Sequence, residues 1–346
     1  MTASAAPVRT RRGWGGSWRP LVFGLFVFVF ARQMPQLRVI LPIEQTILLL
    51  VPFVAVCLVI GWRQGGNPWI ALGAVALSVL LLLESAGPPG SSYSSMARGW
   101  ALLLAASFGL VSIVAPTGRF FPRALAALAL ATSIGFSLVL LSSGGPSRVG
   151  SSIASELNRR NDISLSALRE TQSSPRVRKS IANSPTMRWI YEENERQLAA
   201  IPDWAALLLP ALLGIESLIA MALGWSLHQR ISPTPIGAPL GRLRNFRFND
   251  QLVWGVAVGA SIYLLPSFRD GRNAGLNLLV FFGALYILRG LGVMAWMAEG
   301  RIATRWLVAI GLLAFPFAGF LGAIAFGLGL GDTWLDWRTR PEAKPL

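Results

Sequence analysis

The sequence has little of the chemistry on which disulfide, metal and acid–base sites depend. One cysteine, Cys57, and one histidine, His228, occur among 346 residues. A disulfide within the chain is therefore excluded, and a zinc site of cysteine and histidine is nearly excluded. Charged residues make up only 14% of the chain, whereas soluble domains carry about 25%. Too little polar surface remains to cover a water-soluble globule, so most of the chain must lie in lipid.

Acidic residues are the scarcer of the two charge types, with 16 against 31 basic residues and a net charge of +15. The arginines occur mainly in short segments between apolar runs, where the positive-inside rule places them. No basic stripe on a soluble fold is available to follow a phosphate backbone. We therefore expect membrane lipids as partners and no nucleic acid.

Long apolar runs dominate the rest, since 53% of the residues are hydrophobic. A helix of about 20 apolar residues crosses the roughly 30 Å hydrocarbon layer. The pattern predicts an all-α, polytopic transmembrane helix bundle of about 8–10 helical segments. The nine candidate spans are Leu21–Met34, Val39–Trp62, Pro68–Leu83, Gly99–Ala115, Pro122–Ser142, Trp204–Leu227, Leu252–Phe268, Leu276–Met297 and Trp306–Leu330.

These spans divide the chain into five parts. They are a cytoplasmic basic tail (1–19), N-terminal transmembrane helices (20–142), an extracytoplasmic polar loop with surface helices (143–203), C-terminal transmembrane helices (204–331, with a basic-aromatic interfacial loop at 229–250) and a C-terminal tail (332–346). The helix-forming stretch Met187–Ala200 either caps a cavity between spans or is a solvated connector.

Arginine positions predict a multi-pass protein of a bacterial inner membrane with a cytoplasmic N-terminus. The basic N-terminal residues precede an apolar run without a small-x-small cleavage site, so an uncleaved first span is expected. This orientation places Arg63, Arg119 and the 230–247 segment inside. The side of the C-terminus stays open, because a break at Pro316 would turn the last apolar run into a hairpin.

Two charges lie halfway along predicted spans, Glu216 and Arg289. Each costs about 2.5–3.5 kcal/mol at the bilayer centre, and a pair between neighbouring helices would offset much of that. Asn277 and Tyr286 add polar groups to the helix of Arg289. These four residues form a candidate binding centre, and the alternative is a structural ion pair that fixes helix register.

The loop at 229–250 interleaves basic and aromatic side chains. Such a segment suits contact with anionic headgroups, and docking of a membrane protein partner is the alternative. The residues concerned are Arg242, Arg244, Phe246, Arg247 and Phe248. His228, at the preceding span end, is expected at headgroup level.

Enzyme signatures are incomplete. Gly329-Leu330-Gly331-Asp332 matches the GxGD motif of intramembrane aspartyl proteases, but that chemistry needs a second aspartate within a span. No Walker or dinucleotide-binding motif is present. We predict no catalytic residue, no metal and no cofactor.

The C-terminal half resembles the YybS-like family of bacterial multi-span membrane proteins. The resemblance rests on 240–254 (LGRLRNFRFNDQLVW), on 285–291 (LYILRGL), and on an ending with Asp332, Asp336 and Arg338. It implies an inner-membrane protein without an established reaction. More remotely, it suggests similarity to the substrate-binding subunits of energy-coupling-factor transporters, in which external loops cap a ligand pocket.

Together these features favour binding or passage of a small solute through a polar centre between helices. A non-catalytic membrane scaffold or envelope assembly factor is the alternative, because no catalytic set is complete. An intramembrane enzyme comes third.

Overall fold

The computed structural model describes residues 22, 25, 35–40, 42–84, 91–116, 118–142, 144–298 and 318–339. Within these residues the chain forms eleven α-helices and no β-strand, which confirms the all-α prediction. The helices are α1 (Pro35–Ile40), α2 (Ile43–Arg63), α3 (Pro68–Glu84), α4 (Ser92–Val114), α5 (Phe120–Leu141), α6 (Gly145–Ser173), α7 (Pro175–Asn183), α8 (Pro185–Ile231), α9 (Val253–Leu264), α10 (Arg272–Met297) and α11 (Ala318–Leu335).

Five helical segments are long and apolar enough to cross a membrane. They are α2, α4, α5, α8, and α10 together with the short 3-10 turn that precedes it. The apolar helices α3 and α11 are shorter. Many large apolar side chains on these helices are exposed, including Trp69 and Leu83 on α3, as expected of surfaces that face lipid. The expectation of a protein with several spans is confirmed.

Local sequence signals account for several helix starts. The hydroxyl of Ser91 accepts a hydrogen bond from the backbone N–H of Ser94 at 3.1 Å, and Ser184 does the same for Met187 at 3.3 Å. Proline stands in the first turn of α6, α7 and α8, where no partner for its missing N–H is required. Residues 144–203 of the polar segment are helical almost throughout.

The chain forms two compact units. The first contains residues 1–203 and 216–239, and the second contains residues 204–215 and 240–346. In the first unit α2 packs against α3 and α4, α4 packs against α5, and α6 contacts α1, α4 and α5. The rings of Phe53, Phe108 and Trp225 form its aromatic core, with centroids 4.5 and 6.0 Å apart.

Helix α2 and the last part of α8 run parallel in the first unit. Gln45, near the start of α2, bonds to Glu216, and Phe53 in its middle lies against Gly224. At the far end the hydroxyl of Thr234 donates to the carbonyl of Gly61 at 3.4 Å. The same side of α2 therefore follows α8 over most of its length.

In the second unit α10 packs against both α9 and α11. Glycines bring the backbones of α10 and α11 together, because a side chain at Gly290 would run into the Ala325 carbonyl, and one at Gly329 into the Tyr286 carbonyl. Small residues at such crossings are the usual device for close helix packing in lipid.

Two predicted segments differ from what the structure shows. The span Leu252–Phe268 is shorter than predicted, since α9 has 12 residues and is only about 18 Å long. The stretch Met187–Ala200 is not a separate surface helix, because it continues without interruption into the apolar part of α8. The N-terminal tail, most of the first predicted span and the break expected at Pro316 lie outside the described residues.

Candidate functional site

Glu216 is the centre of a cluster of polar side chains in the first unit. It is only 1% exposed. Its carboxylate accepts hydrogen bonds from Gln45 Nε2 at 2.7 Å and from Thr46 Oγ1 at 2.6 Å. The Tyr93 hydroxyl donates to Gln45 Oε1 at 2.6 Å, so the amide of Gln45 is held at both ends. These four residues are called the Glu216 cluster below.

The Glu216 cluster lies near one end of α2. Helix α2 has 21 residues and is about 31 Å long, close to the hydrocarbon thickness. Gln45 is its third residue, about 3 Å along the axis from Ile43 and about 27 Å from Arg63. The carboxylate of Glu216 is at the depth of the first turn of α2.

A cleft adjoins the Glu216 cluster at Gln45. It has a volume of about 290 Å³ and is bounded by α1, α2 and α6. Its lining residues are Arg38, Pro42, Glu44, Gln45, Glu156, Arg159, Arg160, Ile163 and Ser164. Gln45 belongs to both the cleft and the cluster, so it connects the cleft to the carboxylate of Glu216.

An ion-pair group on α6 forms one wall of this cleft. Arg159 binds Glu156 through Nε at 2.8 Å and Nη2 at 2.7 Å, and Arg160 Nε binds the same carboxylate at 2.8 Å. Burial raises the pKa of Glu156, but the hydrogen bonds and positive charges of the two arginines outweigh it and hold the pKa below 4.5. The guanidinium of Arg160 also lies 4.9 Å from the centre of the Tyr93 ring.

Asp332 is the centre of a second polar cluster, in the second unit. Its buried carboxylate binds Arg289 Nε at 2.8 Å and Arg338 Nη2 at 2.5 Å. Asp250, whose side chain is 59% exposed, binds Arg289 Nη1 at 2.6 Å. Arg338 also donates to the carbonyls of Arg244 and Phe246. We call Asp332, Arg289, Arg338 and Asp250 the Asp332 cluster.

The Asp332 cluster joins the segment that follows α11 to the basic-aromatic loop. Arg247 binds Asp336 at 2.6 Å, beside the contacts of Arg338 with the loop carbonyls. Phe248 is buried, 5.3 Å from the Arg289 guanidinium and 5.1 Å from the Tyr286 ring. The prediction that Phe248 contacts lipid or a partner is therefore wrong. Its ring is part of the interior of the unit.

The four residues of the predicted binding centre belong to different sites. Glu216 and Arg289 lie in different units, and each has partners within its own, so a mutual pair is not required for either charge. Tyr286 is buried in aromatic packing beside Arg289. Asn277 binds the Ala211 N–H and the Leu207 carbonyl, both at 2.9 Å, and so joins α10 to α8.

His228, expected at headgroup level, has a buried side chain that lies beside Gly61 near the end of α2. Its Nε2 accepts a hydrogen bond from the Ile236 N–H at 3.2 Å, and Trp225 Nε1 donates to the Ala238 carbonyl at 3.1 Å. These contacts hold the segment after α8 against the first unit. Among the described residues no group of three or more His, Cys, Asp or Glu side chains could hold a metal ion.

Sequence reasoning did not find Gln45, Thr46 or Tyr93. The available signal was the run Glu44-Gln45-Thr46 at the start of an otherwise apolar helix. A polar group in a span usually faces the bundle interior, so this run pointed to a buried partner elsewhere.

The apolar helices and the buried polar clusters define a polytopic α-helical membrane protein. Residues 34–333 match the family model described as predicted membrane protein (DUF2232), and the chain belongs to that family. This match agrees with the resemblance to YybS-like multi-span membrane proteins. No curated protein and no solved structure matches the chain significantly.

Proposed function

We propose that this membrane protein binds a small polar solute in the cleft between α1, α2 and α6, with the Glu216 cluster as its floor. The observation that carries the proposal is the hydrogen-bonded connection from the cleft through Gln45 to the buried carboxylate of Glu216. Burying a carboxylate in an apolar bundle is costly, and such residues commonly mark a solute or ion site.

Three further features support binding rather than passage through the bundle. The cleft is large enough for a small metabolite, near the lower end of known ligand pockets. Helix α6 covers one side and supplies a fixed wall of paired charges. Finally, the cleft and Gln45 lie near one end of α2, so a solute reaches Gln45 without crossing most of the hydrocarbon.

We also propose that the cleft faces the extracytoplasmic side of a bacterial inner membrane, with the N-terminus inside. The opposite end of the first unit carries Arg63, Arg119 and Arg230 at or near helix ends. Positive residues in short connections favour the cytoplasm, so this end is assigned inside.

A thermal-stability screen of the purified protein in detergent tests the proposal. A solute that binds only the folded state raises the unfolding temperature in proportion to the logarithm of its concentration. We expect at least one small polar metabolite to do so, and Glu216→Gln to abolish the shift while the variant still folds. Glu84→Gln, which changes an exposed carboxylate at the end of α3, is the matched control and should keep the shift.

The second candidate is a scaffold or assembly factor, which one observation favours. Arg242 is exposed beside Leu240 and Leu243, which are 43% and 44% exposed, next to the loop that Arg338 holds. A rigid patch of basic and apolar side chains suits contact with headgroups or with a membrane protein partner. If Glu216→Gln still binds such a partner and Arg242→Gln does not, the result favours this function over solute binding.

A further inference from the structure

We infer that the cleft between α1, α2 and α6 recognises an anionic oxygen group, a carboxylate or a phosphate, through the guanidinium groups of Arg38 and Arg159. This inference rests on the proposed function and names the chemical class of the solute. The same chemistry is found in soluble metabolites and in lipid headgroups, and the experiment below distinguishes these sources.

The balance of charge in the cleft is the first argument. Three cations line it, Arg38, Arg159 and Arg160, against two carboxylates, Glu44 and Glu156. Glu156 is shared by both arginines of α6 and can neutralise only one of them. The three lining arginines therefore exceed the two lining carboxylates by one positive charge, and Arg38 and Arg159 place their guanidinium groups at the same cleft.

The unequal exposure of the two α6 arginines is the second argument. The Arg160 side chain is 12% exposed and lies over the Tyr93 ring, whereas the Arg159 side chain is 42% exposed. Arg159 binds Glu156 through Nε and Nη2, and these bonds fix the plane of its guanidinium. Its Nη1 stands on the other edge of that plane. A guanidinium held in this way is well suited to bind a carboxylate or a phosphate.

The start of α2 also favours an anion in the cleft. Pro42, Glu44 and Gln45 line the cleft, and Pro42 provides no side-chain hydrogen bond to the first turn of the helix. Backbone N–H groups at a helix start favour an anion nearby. Glu44 is exposed, so it remains solvated at the edge of the cleft.

The experiment measures thermal unfolding of the full-length protein in detergent with sodium phosphate, sodium succinate or sodium chloride at matched ionic strength. We expect saturable stabilisation by phosphate or succinate and none by chloride. In Arg38→Gln and Arg159→Gln the apparent affinity should fall roughly tenfold, the equivalent of about 1.4 kcal/mol, since each removes charge-assisted hydrogen bonds. Arg63→Gln, an exposed arginine at the opposite end of α2, is the control and should behave as the unchanged protein.

A lipid arm uses discs of phosphatidylcholine alone and of an equal mixture with phosphatidylglycerol. Stabilisation by phosphatidylglycerol that depends on Arg38 and Arg159, without any effect of the soluble anions, assigns the anion to a headgroup and supports the inference. Arg159→Lys keeps the charge but not the planar group, so weakened binding in this variant supports recognition by the guanidinium.

Two outcomes overturn the inference. One is the absence of any anion-specific rise in the unfolding temperature, with soluble anions and with lipid alike. The other is a fall in apparent affinity in Arg63→Gln that equals the fall in Arg38→Gln and Arg159→Gln. If no anion stabilises the protein but a neutral or cationic solute does so in a manner that Glu216→Gln abolishes, the proposed function stands and only the anionic class is wrong.

Discussion

Glu216 and Gln45 are 171 positions apart in the sequence, yet their side chains meet at 2.7 Å inside the first unit. Thr46, the next residue, binds the other oxygen of the same carboxylate. Two consecutive residues of α2 thus hold one charged group of α8. This arrangement fixes both the rotation and the axial position of α2 relative to the last part of α8.

The first prediction concerns Thr46. Thr46→Val keeps the shape of the side chain but removes the hydroxyl that donates to Glu216. We expect the free energy of unfolding to fall by about 1–3 kcal/mol, because a buried carboxylate loses a hydrogen-bond donor. Thermal or denaturant unfolding in detergent measures the change. Thr46→Ser keeps the donor, so its free energy of unfolding should fall less. An equal fall in both variants would contradict the role given to this hydrogen bond.

The second prediction compares the two carboxylates that bind Arg289. Asp332→Asn should lower the free energy of unfolding by about 3–5 kcal/mol, because it leaves Arg289 and Arg338 without their buried counter-charge. Asp250→Asn should cost about 0–1 kcal/mol, since the Asp250 side chain is 59% exposed and water screens its pair.

Unfolding curves of the two variants, recorded in one detergent, test this ranking. A larger loss in Asp250→Asn than in Asp332→Asn would show that the exposed carboxylate, not the buried one, holds Arg289. In that case the described geometry of the Asp332 cluster would not be the main source of its stability.

The third prediction concerns the contact of α10 with α11. Gly290→Ala should destabilise the protein by about 1–3 kcal/mol or more, because the new methyl group meets backbone that moves only if the helices separate. Gly283→Ala on the same helix is the control, since its nearest neighbour is a Phe326 side-chain atom at 4.0 Å. The yield of monodisperse protein and its unfolding temperature are the measurements. Equal behaviour of the two variants would argue against close packing at Gly290.

The fourth prediction follows from the lowered pKa of Glu156. Its pKa is below 4.5 in the folded protein, so this ion pair contributes its full stability above about pH 4.5 and loses it as the pH falls through the folded value. Charges that face it are Arg159 and Arg160 on α6, and Arg38 and Glu44 across the cleft. Unfolding temperatures recorded from pH 7 downwards should therefore decline at acidic pH.

Glu156→Gln has no charge to lose, so part of that acid-induced decline should disappear in this variant. Glu195→Gln, which changes the partner of the exposed Arg169, is the control and should retain the decline. If the unfolding temperature of Glu156→Gln depends on pH in the same way as that of the unchanged protein, the ion pair is not a source of the acid sensitivity.

The fifth prediction tests orientation. Cys57 is buried and should not react with a membrane-impermeant thiol reagent on intact cells. Ser166→Cys on α6 should react from outside, whereas Gly241→Cys, an open position in the basic-aromatic loop, should react only after permeabilisation. The reversed pattern would invert the proposed topology and place the cleft in the cytoplasm.

The helical class and most of the spans could be predicted from sequence, because lipid requires every backbone group in a span to be satisfied within the segment. The extent of α9 could not, since its 12 residues are strongly apolar and Leu265 and Phe268 continue the apolar run past the end of the helix. Continuity of α8 was also missed, because the change from polar to apolar composition near Asp203 resembles a boundary between elements.

The sequence indicates that Glu216 and Arg289 are buried charges, but it does not indicate which residues bind them. Glu216 and Arg289 stand out in apolar runs, whereas Gln45 and Tyr93 are uncharged and lie near helix starts, where polar residues are unremarkable. Asp250 and Asp332 belong to the segments that carry the family resemblance, yet only three-dimensional packing shows that both aspartates bind Arg289. A sequence pattern indicates which charges need partners and leaves the pairing to topology.

The position of Gln45 on α2 has an electrical consequence. If the membrane voltage falls evenly along this helix, a charge that moves from the cleft edge to the depth of Gln45 crosses only about 3 of 31 Å, roughly a tenth of the field. Ion binding at the cleft would therefore be almost independent of voltage. Transfer over the remaining 27 Å to the Arg63 end would carry nearly all of the roughly 2.3 kcal/mol per elementary charge at 100 mV.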